Sequence, residues 1–453
     1  MRDIDLTEGL ISSHFRTLAV PAALGMLFST LYNVVDVYFA GQISTQAQAG
    51  LAIGFQAFFI MMSVGFGLGA AMSALVGNAR GKKDDAAASK LASQGISFGL
   101  AAVVLLMAGA MFAGPSLIAL VSEPGAYRDA ATNYFYWLIF ALPAFLLAYG
   151  ANGILQAHGD TVSMQRAMMV AFLANVGLNP LLIYGIPGLL PGMGLNGIAL
   201  ATIISQTGVM VWILYQVMGR RIMEDFNLTW LKPNLASYAE ITAQMLPTTT
   251  AMMVMFVSGF VVQFALKGFG PEAIAAYGVA LRVEQILLLP VLGMTGALLP
   301  IAAQNYGAGQ FDRVRDALFT CWKLGFVMTF AAFPILWFAS PTVVALFNDD
   351  PEVVRIGVSY LRIDGFIFPV YMMLFAINSF LQALKRPIWT LWISIYRQGF
   401  GVAFFIWVYV GVFGIGVWGV WIGIATAVVS GWLIAIVVTK RIADQKIGGL
   451  SPS

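Results

Sequence analysis

The chain has 453 residues, of which 60% are hydrophobic and only 10% are charged, with a formal net charge of +3. A soluble domain is about half apolar and about a quarter charged, so this composition excludes a soluble globular protein and requires membrane lipid around most of the chain. The small, scattered net charge excludes a nucleic-acid-binding surface, and a single cysteine excludes an intramolecular disulfide or a cysteine-based metal site.

The apolar segments predict an all-α membrane protein with twelve transmembrane helices. The opening residues MRDIDLTEGLISSH are polar and precede no cleavage site, so we expect the first apolar segment to be retained. Each span needs about 20 apolar residues. The predicted spans are 15–40, 47–77, 90–120, 128–156, 163–186, 194–218, 240–266, 273–304, 314–346, 352–384, 388–412 and 417–441.

The basic residues of the loops predict the orientation of these spans. Lys and Arg recur at every second loop, for example in RGKK at 80–83 and in GRR at 219–221. The loops on the other side hold only Arg128, Lys267 and Arg355. Because cytoplasmic loops carry the excess of basic residues, we expect both termini in the cytoplasm.

The two halves of the chain resemble each other at a fixed offset. AVPAALGM around Pro21 matches QMLPTTTAM around Pro247, and ANGILQAHGD around Asn152 matches INSFLQALKRP around Asn378; both pairs are 226 residues apart. Six helices per half make the repeats parallel. We therefore expect two pseudo-symmetric six-helix lobes around a central cleft: 1–218, a cytoplasmic linker 219–239, and 240–453.

Asp36 is the strongest candidate for a functional residue. An ionisable group within a span costs several kcal/mol (about 3 on insertion scales), which makes it a functional candidate by default. Asn175, Asn179 and Thr202 are its expected partners, and the i, i+4 spacing of the two asparagines places them on one helix face. This set can coordinate Na⁺ or surround a protonated carboxyl group. The alternative is that Asp36 only caps or stiffens a bent helix.

The second half carries other ionisable residues within its predicted spans. They are Glu284 in the eighth span, Arg362 and Asp364 in the tenth, and Arg397 in the eleventh. Buried charges are usually paired, so we expect an ion pair between Glu284 and Arg397. Such a pair can be structural, or it can be a switch that opens when Glu284 takes a proton.

Polar and aromatic residues of the spans are candidates for a substrate cavity, since adaptable surfaces of this kind suit amphipathic ligands. Ordinary helix packing is the alternative for each of them. Similarly, Pro21 and Pro247 interrupt helix interiors and can be either hinges or static bends. The cavity candidates are Tyr32, Asn33, Gln56, Tyr149, Asn152 and Asn378.

An ordered set of motifs resembles the MATE (multidrug and toxic compound extrusion) family. The first span reads P-x(11)-N-x-x-D-x-x-x-x-G from Pro21 to Gly41 and is followed by AGLAIG. VGNARGKKDDAAASK, NGILQAHGD, NVGLNPLLIYG and GLNGIALATIISQ then follow in the order of the family's helices. The resemblance implies a monomeric antiporter of a bacterial inner membrane that exports amphipathic, often cationic small molecules in exchange for Na⁺ or H⁺. It implies neither an enzyme nor a cofactor, and no Walker-type loop is found in the sequence.

The resemblance also implies which residues couple the ion. The positions of Asp36, Asn175 and Thr202 match those that line a cation site in the amino-terminal lobe, with Asp36 as a Na⁺ ligand. Asn179 departs from the pattern, because many members have Asp there. In the NorM-like branch, a Glu and an Asp of the carboxy-terminal lobe fall near Met255 and Tyr371, where this chain has no acid. The coupling ion therefore stays open.

Two other functions share some of these features. A lipid-linked oligosaccharide flippase of the wider superfamily has a similar bilobal architecture, but its diphosphate substrate calls for a cluster of cavity cations. The predicted spans of the first half offer basic residues only near their ends. A receptor or scaffold is the third alternative, and it gives no reason for an acid at Asp36 with its amide partners.

Overall fold

The computed structural model describes residues 4–219 and 228–450, so 220–227 of the predicted linker 219–239 lies outside the described residues. The chain forms two compact units. One consists of the described residues of Met1–Asp5 with Leu24–Leu246, and the other of Leu6–Ala23 with the described residues of Pro247–Ser453. The predicted lobes differ from these units in two segments. Leu6–Ala23 follows the amino terminus but belongs to the second unit, and residues 240–246, predicted to begin the second lobe, belong to the first.

The first half of the chain is helical apart from one short hairpin. The hairpin pairs β1 (Gly185–Ile186) with β2 (Leu190–Pro191) in antiparallel register, which the all-α prediction did not include. The helices are α1 (Ile11–Ile43), α2 (Thr45–Gly81), α3 (Asp85–Val121), α4 (Ala126–Ile139), α5 (Leu142–Ala157), α6 (Val162–Tyr184) and α7 (Leu195–Met218).

The second half repeats this plan with more irregular helices. π-helical segments follow α10, α13 and α14 at Ile335–Ala339, Ile395–Gly401 and Trp407–Val412. The helices are α8 (Leu235–Leu266), α9 (Pro271–Gly307), α10 (Phe311–Pro334), α11 (Ser340–Ala345), α12 (Pro351–Ala383), α13 (Ile388–Ser394), α14 (Val402–Ile406) and α15 (Val417–Ile447).

The prediction of a twelve-span, all-helical membrane protein is confirmed. Within the described residues, eleven helical segments are long and apolar enough to cross a membrane. The twelfth span is the pair α4 and α5, which bends by 52° at Phe140 and Ala141. Pro143 occupies the first turn of α5, where its missing N–H would have no hydrogen-bond partner within the helix. Proline is therefore favoured at this position, and it supports the beginning of a new helix after the bend.

Glycines let α2 and α5 approach each other closely in the first unit. A Cβ atom added to Gly153 would lie 2.0 Å from the carbonyl oxygen of Gly69, and one added to Gly69 would lie 2.7 Å from the carbonyl oxygen of Tyr149. Only hydrogen fits in such a contact. Small residues at helix interfaces are the usual means of close packing in lipid, where the hydrophobic effect between helices is weak.

Four turns end α2, α5, α9 and α12 in the same way. In each turn, a backbone N–H donates to the carbonyl oxygen five residues earlier. The donors are Asp84, Asp160, Gln310 and Arg386. This is the Schellman arrangement, and the preceding residue takes a left-handed conformation that favours glycine. Gly159 and Gly309 meet that requirement, whereas Lys83 and Lys385 adopt positive φ values of 58° and 56°.

Candidate functional site

Asp36 lies in the core of the first unit, where three helices bring its partners together. The Asn175 and Asn179 side chains of α6 both donate through Nδ2 to Asp36 Oδ1, at 3.0 and 2.8 Å. Thr202 Oγ1 of α7 donates to Oδ2 at 3.2 Å. All four side chains are buried. The structure therefore assembles the whole set that the sequence named, from residues that lie 139 to 166 positions apart.

The charge of this carboxylate is met by neutral groups alone. Asp36 has three neutral donors, and within the described part of the chain no ion pair compensates it. Asn179 also donates to Asn175 Oδ1 at 3.1 Å, because the i, i+4 spacing puts both amides on one face of α6. The buried Asn179 Oδ1 has no hydrogen-bond partner among the described residues. The site can thus bind one positive charge, either a proton on the carboxylate or a cation held by oxygen atoms.

Tyr32 and Ser205 form a second layer beside this network. The Tyr32 hydroxyl, one helical turn before Asp36, makes a 2.9 Å hydrogen bond with Ser205 Oγ, and both residues are buried. Tyr32, a candidate for the substrate cavity, is therefore a core residue. Ser205 was missed by sequence reasoning, although its position three residues after Thr202 puts it on the same face of α7.

The other cavity candidates do not join this network through any hydrogen bond between described residues. Asn33 Nδ2 donates to the Ser29 carbonyl of its own helix at 3.0 Å, and Gln56 is exposed. Tyr149 packs its ring 4.3 Å from that of Phe66. Asn152 in the first unit and Asn378 in the second, which are equivalent in the repeat, each have a buried Oδ1 atom without a partner among the described residues.

A second group of buried acids lies within the second unit. Tyr360 of α12 donates through its hydroxyl to Glu284 Oε2 of α9 at 2.6 Å. Asp364 follows Tyr360 by four residues, on the same face of α12. Both Asp364 carboxylate oxygens are buried and have no hydrogen-bond partner in the described residues. An ionised carboxylate in that position would be costly, so Asp364 needs a bound proton or cation.

Glu284 and Arg397 make no direct ion pair within 4 Å among the described residues, although the two charges interact at longer range. Arg397 lies in a π-helical segment, and its buried guanidinium lies over the Tyr371 ring, 5.8 Å from the centroid. Its Nε has no partner among the described residues. Arg362 is exposed, and its guanidinium lies over the Trp337 ring at 5.5 Å. Arg362 therefore does not belong to the buried group.

The chain matches the MatE family model over residues 21–181 and again over 247–407. The two matched ranges begin at 21 and 247, which is the offset of 226 found within the sequence. An FAD transporter of Shewanella oneidensis is 27% identical and is matched over 84% of both chains. The probable multidrug resistance protein YoeA of Bacillus subtilis is 25% identical, and the multidrug export protein MepA of Staphylococcus aureus is 24% identical.

Solved structures share the fold of the chain. A transporter of the MOP superfamily from Pyrococcus furiosus superimposes with a TM-score of 0.91 over 98% of this chain and 99% of that one, at 22% identity. A multidrug resistance transporter in an outward-facing conformation gives a TM-score of 0.89 over 100% of this chain and 99% of that one, also at 22% identity.

Proposed function

The chain belongs to the MatE family of multi-pass membrane transporters, and we propose that it is an antiporter that exports amphipathic, cationic small molecules in exchange for protons. Members of this family are transporters rather than enzymes, as the sequence predicted. The observation that carries the proposal is a buried carboxylate, Asp36, whose three partners are all neutral. A site of this kind changes its charge when it takes or releases one cation.

The proton fits the Asp36 site with less rearrangement than Na⁺. Both amides present Nδ2 to the carboxylate, and a sodium ion would need oxygen atoms in those places. Among the described residues, Asp36 Oδ2 accepts one long hydrogen bond, from Thr202, which leaves this oxygen able to take a proton. Asn179 contributes no charge, so a sodium ion would meet one negative group instead of two.

Glu284 and Asp364 form a second protonation site in the proposed cycle. The buried group of the second unit holds two acids and one guanidinium, and no ion pair joins them among the described residues. With all three ionised, the group would carry a net negative charge in an apolar core, which one proton removes. Glu284→Gln and Asp364→Asn should each lower proton-driven efflux, and unchanged efflux in both variants would exclude this site.

The experiment that tests the main proposal is dye efflux in inverted vesicles, energised by a pH gradient or by a Na⁺ gradient in turn. The wild type should respond to the pH gradient alone, and Asp36→Asn should abolish that response. Asp84→Asn, which removes an exposed acid that caps α3 in the same unit, is the matched control and should transport normally. Ion-driven efflux by Asp36→Asn at the wild-type rate would overturn the proposal.

A flavin nucleotide is the second candidate substrate. It is favoured by the FAD transporter of Shewanella oneidensis and by Arg397, a buried guanidinium with a free Nε that can meet a phosphate. Competition between FAD and a cationic dye in the same vesicles separates the two candidates. If FAD inhibits dye efflux by the wild type but not by Arg397→Gln, a flavin nucleotide is the substrate. If FAD does not inhibit dye efflux, the cationic substrate class is retained.

A further inference from the structure

Helix α1 belongs to both units of the protein. Its residues up to Ala23 lie in the second unit, and its residues from Leu24 onward, which include Asp36, lie in the first. A change at the Asp36 site can therefore reach the second unit along a single helix. This requires that the first part of α1 be held firmly in the second unit.

The segment that precedes α1 is bound to the ends of α9 and α10. Leu6 is fully buried, and its N–H donates to Gln304 Oε1 at 3.0 Å. Its carbonyl oxygen accepts hydrogen bonds from Asn305 Nδ2 at 2.9 Å and from Arg313 Nη2 at 3.3 Å. Arg313 Nη1 donates to the Gly9 carbonyl at 2.8 Å. The backbone of Leu6–Gly9 thus obtains from side chains the hydrogen bonds that a helix would supply.

Arg313 is the centre of this anchor. Its Nε donates to Asn305 Oδ1 at 2.8 Å, which fixes the plane of the guanidinium while both terminal nitrogens reach the segment. Hydrogen bonds from a charged donor contribute about 1.5–3 kcal/mol each, more than neutral ones. Lysine could make only a point contact here, because it lacks the planar fork.

A close helix contact holds α1 further along. A Cβ atom added to Gly293 of α9 would lie 2.7 Å from the backbone nitrogen and the Cβ of Ala23, and 2.8 Å from the carbonyl oxygen of Ala19. This part of α1 therefore packs backbone to backbone against α9. Together with the anchor, the contact fixes both ends of the α1 segment that lies in the second unit.

The segment before α8, at the equivalent place in the repeat, is also held by a side chain, although that side chain is not the repeat equivalent of those that hold Leu6. Gln94 of α3 donates through Nε2 to the carbonyls of Trp230 and Lys232, and its Oε1 accepts from the Asn234 N–H at 3.0 Å. Leu235–Leu246 of α8 lies in the first unit, and the helix continues in the second from Pro247. Leu6 and Lys232 are 226 residues apart, so the two anchored segments are counterparts.

We propose that Arg313 is a positioning residue for transport: by anchoring the segment before α1, it lets α1 carry the change of state at Asp36 into the second unit. Gln94 does the same for α8. The inference rests on the proposed role of Asp36 as the coupling group. It assigns to Arg313 an effect on turnover and none on substrate affinity, because Arg313 touches neither Asp36 nor its partners.

The test compares Arg313→Ala with the matched control Arg355→Ala, which removes an exposed arginine of the same unit that pairs with Glu352. Proton-driven dye efflux by Arg313→Ala should show an unchanged KM and a maximal rate at least about tenfold lower, while Arg355→Ala keeps both. Arg313→Lys should recover only part of the rate. An Arg313→Ala variant that transports at the wild-type rate overturns the inference.

A covalent anchor separates positioning from folding. Leu6→Cys and Asn305→Cys, introduced with Arg313→Ala in a Cys321→Ala background, can be joined by a short thiol crosslinker. Crosslinking should restore turnover, and reduction of a cleavable linker should remove it again; failure to restore it overturns the inference. Asp36→Asn is measured in parallel. If Asp36→Asn still couples transport to protons, the proposed function fails. If Asp36→Asn has lost coupling while Arg313→Ala transports normally, only the role of the anchor is refuted.

Discussion

Replacement of Asn179 by Asp should change the ion selectivity of the first unit. Asn179 Nδ2 lies 2.8 Å from Asp36 Oδ1, so the new carboxylate would face the existing one across that contact. Two charges about 4 Å apart repel by about 4 kcal/mol at an effective dielectric constant of 20. The substitution also removes the hydrogen bonds that the amide donates to Asp36 and Asn175.

A bound cation relieves this repulsion. The 4 kcal/mol scale corresponds to about three tenfold steps in cation affinity, so Asn179→Asp should bind Na⁺ up to about 1000-fold more tightly than the wild type. The two carboxylates, Thr202 and Asn175 would then offer the oxygen ligands that Na⁺ prefers. Transport should become dependent on Na⁺ at millimolar concentrations, where the proposed proton coupling predicts no Na⁺ response of the wild type.

The assay is a Na⁺ titration of dye efflux in inverted vesicles at constant pH, with Na⁺ binding to the purified protein measured by calorimetry. Asn33→Asp is the matched control. It adds an acid to α1, the helix of Asp36, at a side chain that contacts the Ser29 carbonyl instead of Asp36. A Na⁺ response of Asn179→Asp equal to that of the wild type, or an equal gain in Asn33→Asp, would refute the argument.

Three further variants test the packing and the second acidic group. Tyr360→Phe removes the 2.6 Å hydrogen bond to Glu284 and should lower the free energy of unfolding by about 1.5–3 kcal/mol, measured by denaturation in detergent. Gly153→Ala places a Cβ 2.0 Å from the Gly69 carbonyl oxygen and should cost about 1–3 kcal/mol, whereas an unchanged stability would show that α2 and α5 can separate freely. Lys385→Gly relieves a left-handed backbone and should raise stability by about 1 kcal/mol; a decrease would indicate that the lysine side chain is needed at that turn.

The residues of the Asp36 site could be predicted from the sequence because an acidic residue is unusual within an apolar span. A carboxylate in an apolar span is costly wherever the span lies, and the spacing of Asn175 and Asn179 fixes their common helix face. Ser205 carries no such signal, since a serine is inexpensive in any helix. Its contact with Tyr32 depends on how α1 and α7 pack, which neither helix encodes alone.

In the second unit, the presence of opposite charges in the sequence did not predict which side chains are in contact. Glu284 and Arg397 are both buried, which made them the natural pair, but the acid accepts from Tyr360 and the guanidinium lies over Tyr371. A phenol hydroxyl can also donate a hydrogen bond to a carboxylate, so a buried acid does not require a basic partner. Arg397 also lies in a π-helical segment, Ile395–Gly401, and hydropathy does not reveal such a segment.

By itself, the sequence determined the properties that depend on composition and order along the chain. The twelve spans are one such property, because lipid requires long apolar helices. The duplication is another, because matching motifs recur 226 residues apart along the chain. The tertiary structure alone decided the break between α4 and α5, the membership of Leu6–Ala23 in the second unit, and the anchoring of that segment by Arg313. The last two depend on surfaces that meet across about 300 residues of the chain, and the free energy of such contacts belongs to the packed pair instead of to either segment.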